Sequence, residues 1–195
     1  YLAKQRIKED PVVSSYLTST ESAVDQLEKI FDFARTYELL GAEELSYANV
    51  ETSINEAVVL FSDLNGTKLL NECQGLTVLA DSLLRQLFYN LIHNSLRYGE
   101  KLTQIKVYYT EVEECQLKLV YEDDGVGIPE DEKDNIFKEG YGRGTGYGLY
   151  LIRKICDAYG WTIQETGAPG KGAKFVMSIP KTNKNGKLPY LFDKK

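Results

Sequence analysis

DDGVGIPEDEKDNIFKEGYGRGTGYGL, residues 123–149, carries seven of the chain's 16 glycines: Gly125, Gly127, Gly140, Gly142, Gly144, Gly146 and Gly148. Glycine costs backbone entropy on folding, so a run this dense marks positive φ or close approach of a ligand to the backbone. The stretch opens onto LYLIRKICDAYG, where Leu149, Ile152, Ile155 and Cys156 recur at helical spacing. Free amides at a helix start, with the helix dipole behind them, favour an anion. Neither common phosphate fingerprint fits. Gly170-Lys171 is followed by Gly172 rather than Ser or Thr, and Gly142, Gly144, Gly146 and Gly148 alternate where a dinucleotide loop needs G-x-G-x-x-G.

Composition sets the outer bounds. A length of 195 residues with 43% hydrophobic side chains allows one full domain and a smaller appendage. A net charge of −6 argues against nucleic acid as a partner. Cys73, Cys115 and Cys156 are odd in number and widely spaced, which suggests neither a disulfide framework nor a zinc site and fits a cytoplasmic location. No window approaches the ~20 apolar residues of a membrane span, so no membrane contact is expected of these residues. A chain beginning at Tyr1 reads as a piece of a longer protein, one that can itself be membrane-attached.

The pattern changes near Gly41. From Pro11 to Leu40 the positions Leu17, Val24 and Phe31, with Leu27 and Ala34, form a heptad-like stripe between charges. Asp10 and Pro11 suit the start of this helix, and residues 1–9 read as the end of a preceding one, so residues 1–41 form a truncated helical hairpin. Beyond Gly41 the spacing predicts a strand over Ser46–Val50, a helix over Glu51–Phe61 and two short strands around Gly75. Asp81 caps an amphipathic helix whose Leu84, Leu87, Phe88, Leu91, Ile92 and Leu96 face inward. Gln104–Thr110 and Gln116–Glu122 read as a hairpin, and Trp161–Thr166 and Ala173–Ile179 as two further strands joined by GAPGKG. The fold class is α+β, a layered sandwich with a glycine-rich loop inserted. The lysine-rich tail, residues 182–195, reads most simply as a solvated extension, although Leu188, Tyr190, Leu191 and Phe192 are able to dock.

Asn90 and Asn94 stand one helical turn apart beside the buried stripe of the Asp81 helix. An amide oxygen ligates Mg²⁺ without adding charge, which suits a metal already neutralised by phosphates. Taken alone, the pair reads more simply as two solvated or satisfied amides. Four motifs then fall in order: NLIHNSLRYG, DDGVGIP, IFKEGYG and GTGYGLYLI. Over residues 46–181 the chain resembles the catalytic domain of sensor histidine kinases, with their N, G1, F and G2 boxes. The resemblance implies the Bergerat ATP-binding sandwich, a mixed sheet with helices on one face, preceded here by a partial dimerisation hairpin.

Carried over residue by residue, the resemblance implies that Asn94 ligates Mg²⁺ and that Asn90 helps hold the metal–triphosphate site. Arg97 would lie near phosphate and Tyr98 would pack on adenine. Asp124 would accept the adenine amino group, with Gly125 and Gly127 close beneath the base; a carboxylate suits that role because it only accepts. Residues 129–145 would form a lid with Phe137 as its anchor, Lys138 and Arg143 as its cations and Gly140, Gly142 and Gly144 as hinges. Gly144, Gly146 and Gly148 would bring amides to the triphosphate, and Ile128, Thr145 and Leu149 complete the nucleotide contacts. The lone histidine, His93, takes a supporting place between the asparagines.

In ATP-hydrolysing relatives, the residue one turn before the metal asparagine is a glutamate that activates water, whereas this chain has Asn90, and an amide is no general base. The resemblance therefore implies a kinase that uses ATP and Mg²⁺, pairs as a homodimer through its N-terminal helices, and passes phosphate from a histidine to a response-regulator receiver domain. No histidine stands in residues 1–41, so the chain alone is expected to bind ATP without phosphorylating itself. Alternatives are a degenerate ATP-binding interaction module and an anti-sigma-type protein serine kinase.

Overall fold

Alternation sets the main sheet. Leu117, Leu119 and Tyr121 are buried on one face of their strand, and Phe175, Met177 and Ile179 continue that face on its neighbour. In the computed structural model, which describes residues 11–112, 116–142, 144–182 and 188–192, five strands build this sheet. They are β2 (Lys68–Glu72), β4 (Gln104–Val112), β5 (Gln116–Asp123), β6 (Thr162–Glu165) and β7 (Lys174–Pro180). Their order is β2-β4-β5-β7-β6, with only β2 and β4 parallel, so the sheet is mixed. The expected hairpin is the β4–β5 pair.

Three helices bear on the inward face: α2 (Val50–Val59), α3 (Leu83–Tyr98) and α4 (Gly148–Tyr159). Ile54 from α2, Leu87 and Leu91 from α3, and Ile152 and Ile155 from α4 are all fully buried with Trp161 and Leu119 in one core. Each such side chain contributes about 1.5–3 kcal/mol by leaving water. The result is the expected α+β two-layer sandwich. Asp81 does cap α3, from one residue before the N-cap position: its Oδ1 accepts the Leu83 amide at 2.9 Å and the Tyr159 hydroxyl at 2.5 Å. That carboxylate therefore ties the start of α3 to the end of α4. Cys73 and Cys156 are free and buried, and Cys115 lies outside the described residues.

The two short strands expected around Gly75 are present and lie in different sheets, and the tail departs from the sequence reading. β2 joins the main sheet, whereas β3 (Leu76–Ala80) pairs antiparallel with β1 (Ser46–Asn49) in a separate sheet. The third strand of that small sheet, β8 (Tyr190–Phe192), comes from the tail, so the docked reading of 188–192 replaces the solvated one. The Leu79 amide donates to Pro189 at 2.7 Å, the Tyr47 hydroxyl donates to Leu188 at 2.9 Å, and Phe192 stacks on Tyr109 at 5.6 Å.

Helix α1 (Pro11–Leu39) precedes the sandwich, while residues 1–9, the other arm of the expected hairpin, and Asp10, the expected cap of α1, lie outside the described residues. Three positions of its heptad stripe are exposed, Val24 by 47%, Leu27 by 54% and Phe31 by 71%, while Leu17 is half-buried. The last turns of α1 touch the sandwich, where Phe33 stacks on Tyr147 at 4.3 Å. Among the described residues no helix is long and apolar enough to cross a membrane.

Ending the chain after Lys187 removes β8. We expect a loss of about 1–3 kcal/mol in urea unfolding, from a short ladder and one aromatic stack. An unchanged midpoint would show that the tail strand contributes nothing.

Candidate functional site

Helix α3 turns its apolar face toward the sheet, and Asn90 and Asn94, on the flank of that face, line a cavity of about 640 Å³. That volume lies within the range of small-molecule sites. Its walls are α3, the end of β5, the segment 126–149 and the turn that joins β6 to β7. The amide nitrogens of Asn90 and Asn94 are both buried without a hydrogen-bond partner. Paired donors are the rule in protein interiors, so two orphans on one turn of helix call for a ligand. Which amide atom faces the cavity is fixed only once a partner is bound, and an oxygen turned inward suits a cation.

The start of α4 meets this helix directly. A Cβ at Gly148 would lie 3.6 Å from Oδ1 of Asn94, and Tyr147, at the N-cap position, makes no side-chain capping bond. The first amides of α4 are thus uncapped beside the asparagine pair, an arrangement that favours an anion there. Gly142, Gly144, Thr145, Gly146 and Leu149 line the same cavity. Gly146 also meets a packing constraint, since at φ 70° it lies so close to the lid that a Cβ would stand 2.4 Å from the Gly140 carbonyl carbon.

Arg97, Tyr98, Gly127 and Ile128 also line the cavity. The Arg97 guanidinium lies 5.6 Å over the Tyr98 ring, and the Tyr98 hydroxyl abuts Gly144. His93 borders the cavity and stacks on Tyr89 at 6.1 Å. The lid segment is a series of turns. Ile136 is buried, and Phe137 meets Phe175 edge-on at 6.2 Å with the Arg153 guanidinium 5.0 Å above it, consistent with an anchor.

Three expected contacts fall elsewhere. The Asp124 carboxylate points away from the cavity and is bound by Thr103 and Gln104: Oδ1 accepts their amides at 2.8 and 2.9 Å, and Oδ2 accepts the Thr103 hydroxyl. Gly125 does not lie beneath a ligand, because a Cβ there would meet Gly99 at 2.7 Å. It is glycine so that two loops can touch. Lys138 is turned outward, its Nζ donating to Asn135 at 2.6 Å. Arg143 lies outside the described residues.

The aspartate that lines the cavity is Asp123, at the end of β5. Its Oδ2 accepts the Ser95 hydroxyl at 2.5 Å, Ser95 Oγ in turn accepts the Tyr121 hydroxyl at 2.9 Å, and its Oδ1 accepts the Gly125 and Ala173 amides at 3.0 Å each. A sequence signal for this existed. Leu117, Leu119 and Tyr121 alternate inward, so the next inward position is Asp123 and not Asp124. Phe33, Pro169 and Ala173 also line the cavity and were not anticipated. Nothing local in the sequence marks them, since each arrives by a tertiary contact.

Residues 80–183 match the family of histidine kinase-, DNA gyrase B- and HSP90-like ATPases. The chain belongs to that family. It is 36% identical over 107 residues to the aerobic respiration control sensor protein ArcB of Escherichia coli, covering 49% of this chain and 14% of ArcB. To the phytochrome-like protein Cph1 of Synechocystis it is 30% identical, covering 92% of this chain and 28% of Cph1. The chain thus spans less than a third of either relative. The solved histidine kinase ThkA, in complex with the response regulator protein TrrA, superposes with a TM-score of 0.65 at 26% identity, over 91% of this chain and 55% of ThkA. Within the family, this is the catalytic ATP-binding domain of the sensor histidine kinase type.

Asp123 and Asp124 are separable by substitution. Asp123→Asn should weaken ATP binding by at least tenfold, about 1.4 kcal/mol, because it disturbs a carboxylate at the cavity wall. Asp124→Asn should leave affinity unchanged, and titration calorimetry of both variants decides. Asp124 has its own signature. Slight burial pulls its carboxyl upward, but hydrogen bonds from the Thr103 hydroxyl and the Gln104 and Thr103 amides outweigh this and leave it below the ordinary 3.8. Its contribution to stability is therefore full above 3.8 and lost as pH falls through the lower folded value. The melting-temperature difference between the unsubstituted chain and Asp124→Asn should be present at pH 7 and vanish in stronger acid.

Proposed function

We propose that this cavity binds Mg²⁺·ATP and presents the γ-phosphate to a histidine on a helical hairpin, from which it passes to an aspartate of a response-regulator receiver domain. One observation carries this reading: two unpartnered amides, Asn90 and Asn94, buried beside the uncapped start of α4. The donor set fits the metal. Asn94, with Asn90 beside it, would hold Mg²⁺, and the ion would neutralise triphosphate charge. The amides at the start of α4 bind phosphate oxygens, Tyr98 and Ile128 flank the base, and Asp123 accepts the adenine amino group. Its Oδ1 and Oδ2 already carry protein donors, which fix the carboxylate before the base arrives.

Catalysis on this reading is positioning and charge neutralisation rather than proton abstraction by α3. Asn90 stands where a water-activating carboxylate would be needed for hydrolysis, and an amide takes no proton. The nucleophile comes from outside the cavity. The stripe of α1, with Val24, Leu27 and Phe31 exposed, suits pairing with a second copy into a helical bundle. The solved complex of ThkA with TrrA supports a receiver as the next partner.

Asn94→Ala should abolish Mg²⁺-dependent ATP binding while leaving the melting temperature nearly unchanged, because it deletes an unpartnered group. The chain mixed with γ-phosphate-labelled ATP and a separately supplied histidine-bearing hairpin should label the hairpin and not itself. Binding without transfer would favour an interaction module instead, and label on His93 would overturn the assignment of the acceptor.

A further inference from the structure

Lys133 sits at the root of the lid segment, among the turns that follow Pro129. Its Nζ lies 3.3 Å from Oε2 of Glu165, donates to the Gly167 carbonyl and pairs with Glu130 at 2.8 Å. The Glu165 side chain is completely buried. Its Oε1 accepts the amides of Gly167 and Lys174 at 2.9 and 3.0 Å, while Oε2 has no hydrogen-bond donor. Among the described residues, Lys133 is the cation paired with that carboxylate. A buried charge deprived of its partner is strongly unfavourable, so the two residues are held together.

The turn that Glu165 organises, residues 166–173, is fused to the cavity wall. A Cβ at Gly172 would lie 1.7 Å from the Asp123 carbonyl oxygen, and one at Gly127 would lie 2.9 Å from the Gly172 carbonyl oxygen. The Gly170 amide donates to Val126 at 2.7 Å. No side chain lies between these segments to absorb a shift, so the turn and the Asp123–Gly127 segment move together. Lys133 does not line the cavity, yet Pro129, Glu132 and Ile136 around it do.

We propose that Lys133 is a positioning residue of the nucleotide site. Through Glu165 it clamps the lid root and the 166–173 turn against the Asp123–Gly127 segment, and so sets affinity for the purine end of the nucleotide without touching it. The inference rests on the ATP-binding reading and adds to it a residue outside the four boxes' polar positions.

The test compares ADP and ATP, each with Mg²⁺, by titration calorimetry on the whole chain. Lys133→Met should weaken both by the same factor, about tenfold, because the purine end is common to both and the γ-phosphate is not involved. Lys133→Arg should restore binding, since a guanidinium can occupy the same ion pair. The double variant Lys133→Met with Glu165→Gln should bind better than Lys133→Met alone, because no buried charge is left unpaired. Phosphate transfer to a histidine-bearing hairpin at saturating ATP should keep its rate, giving a change in KM and not in kcat. A loss confined to ATP would mean that Lys133 acts at the γ-phosphate and would overturn the proposal. So would unchanged binding by Lys133→Met, or failure of both Lys133→Arg and the double variant to recover. Failure of the unsubstituted chain to bind either nucleotide would sink the ATP reading itself, an outcome distinct from these.

Discussion

The Asp123 carboxylate is where the separate parts of the domain converge. It receives the Ser95 hydroxyl from α3, the Gly125 amide from its own loop and the Ala173 amide from the turn before β7. Hydrogen bonds to a charged acceptor are worth about 1.5–3 kcal/mol each, and the Tyr121–Ser95–Asp123 chain lets each bond polarise the next. Burial pushes the Tyr121 hydroxyl well above its ordinary value, so it remains a donor throughout the working pH range. The three segments that meet here must come within backbone contact of one another. That requirement explains Gly99, Gly125 and Gly172: a Cβ at Gly125 or Gly172 would overlap the backbone of a neighbouring segment, and Gly99 supplies one of those surfaces. The glycine run thus divides in two. Its first part is a packing device, and its second part is the lid and the start of α4.

Much of this was legible in the sequence because it is local. The heptad spacing of α1, the apolar face of α3 and the alternation of β4 and β5 each state their structure within a dozen residues. The asparagine pair stood out only once it was set in order with the glycine motifs that follow it. Assigning the cavity carboxylate failed at a single step, the choice between two adjacent aspartates, which strand parity resolves in favour of Asp123. The small sheet was not legible, because nothing in LTVLA states whether its partner is the strand before it, after it or at the other end of the chain. Phe33 was invisible as a cavity residue for the same reason. It belongs to a helix whose repeat predicts pairing along a different face.

That position of Phe33 has a thermodynamic meaning. The ring is part of α1, stacks on Tyr147 and forms a wall of the cavity. Any displacement of the helix that parts this stack alters the site. By linkage, a nucleotide that prefers one arrangement of the wall biases the helix by the same free energy. The contact is one ring pair, worth about 0.5–1.5 kcal/mol beyond its buried area, which is enough to bias an equilibrium and too little to lock it.

The pairing of β3 with β8 bears on how the domain is made. Val78 pairs with Ala48 of β1 on one side and with Tyr190 of β8 on the other. During synthesis at ~5–20 residues per second, the open edge of β3 therefore waits on the order of ten seconds for its neighbour. Throughout that interval LTVLA presents unpaired backbone beside an apolar core, a surface that recruits other strands. The nascent domain is most vulnerable to association after its nucleotide cavity has been synthesised and before its last strand has arrived.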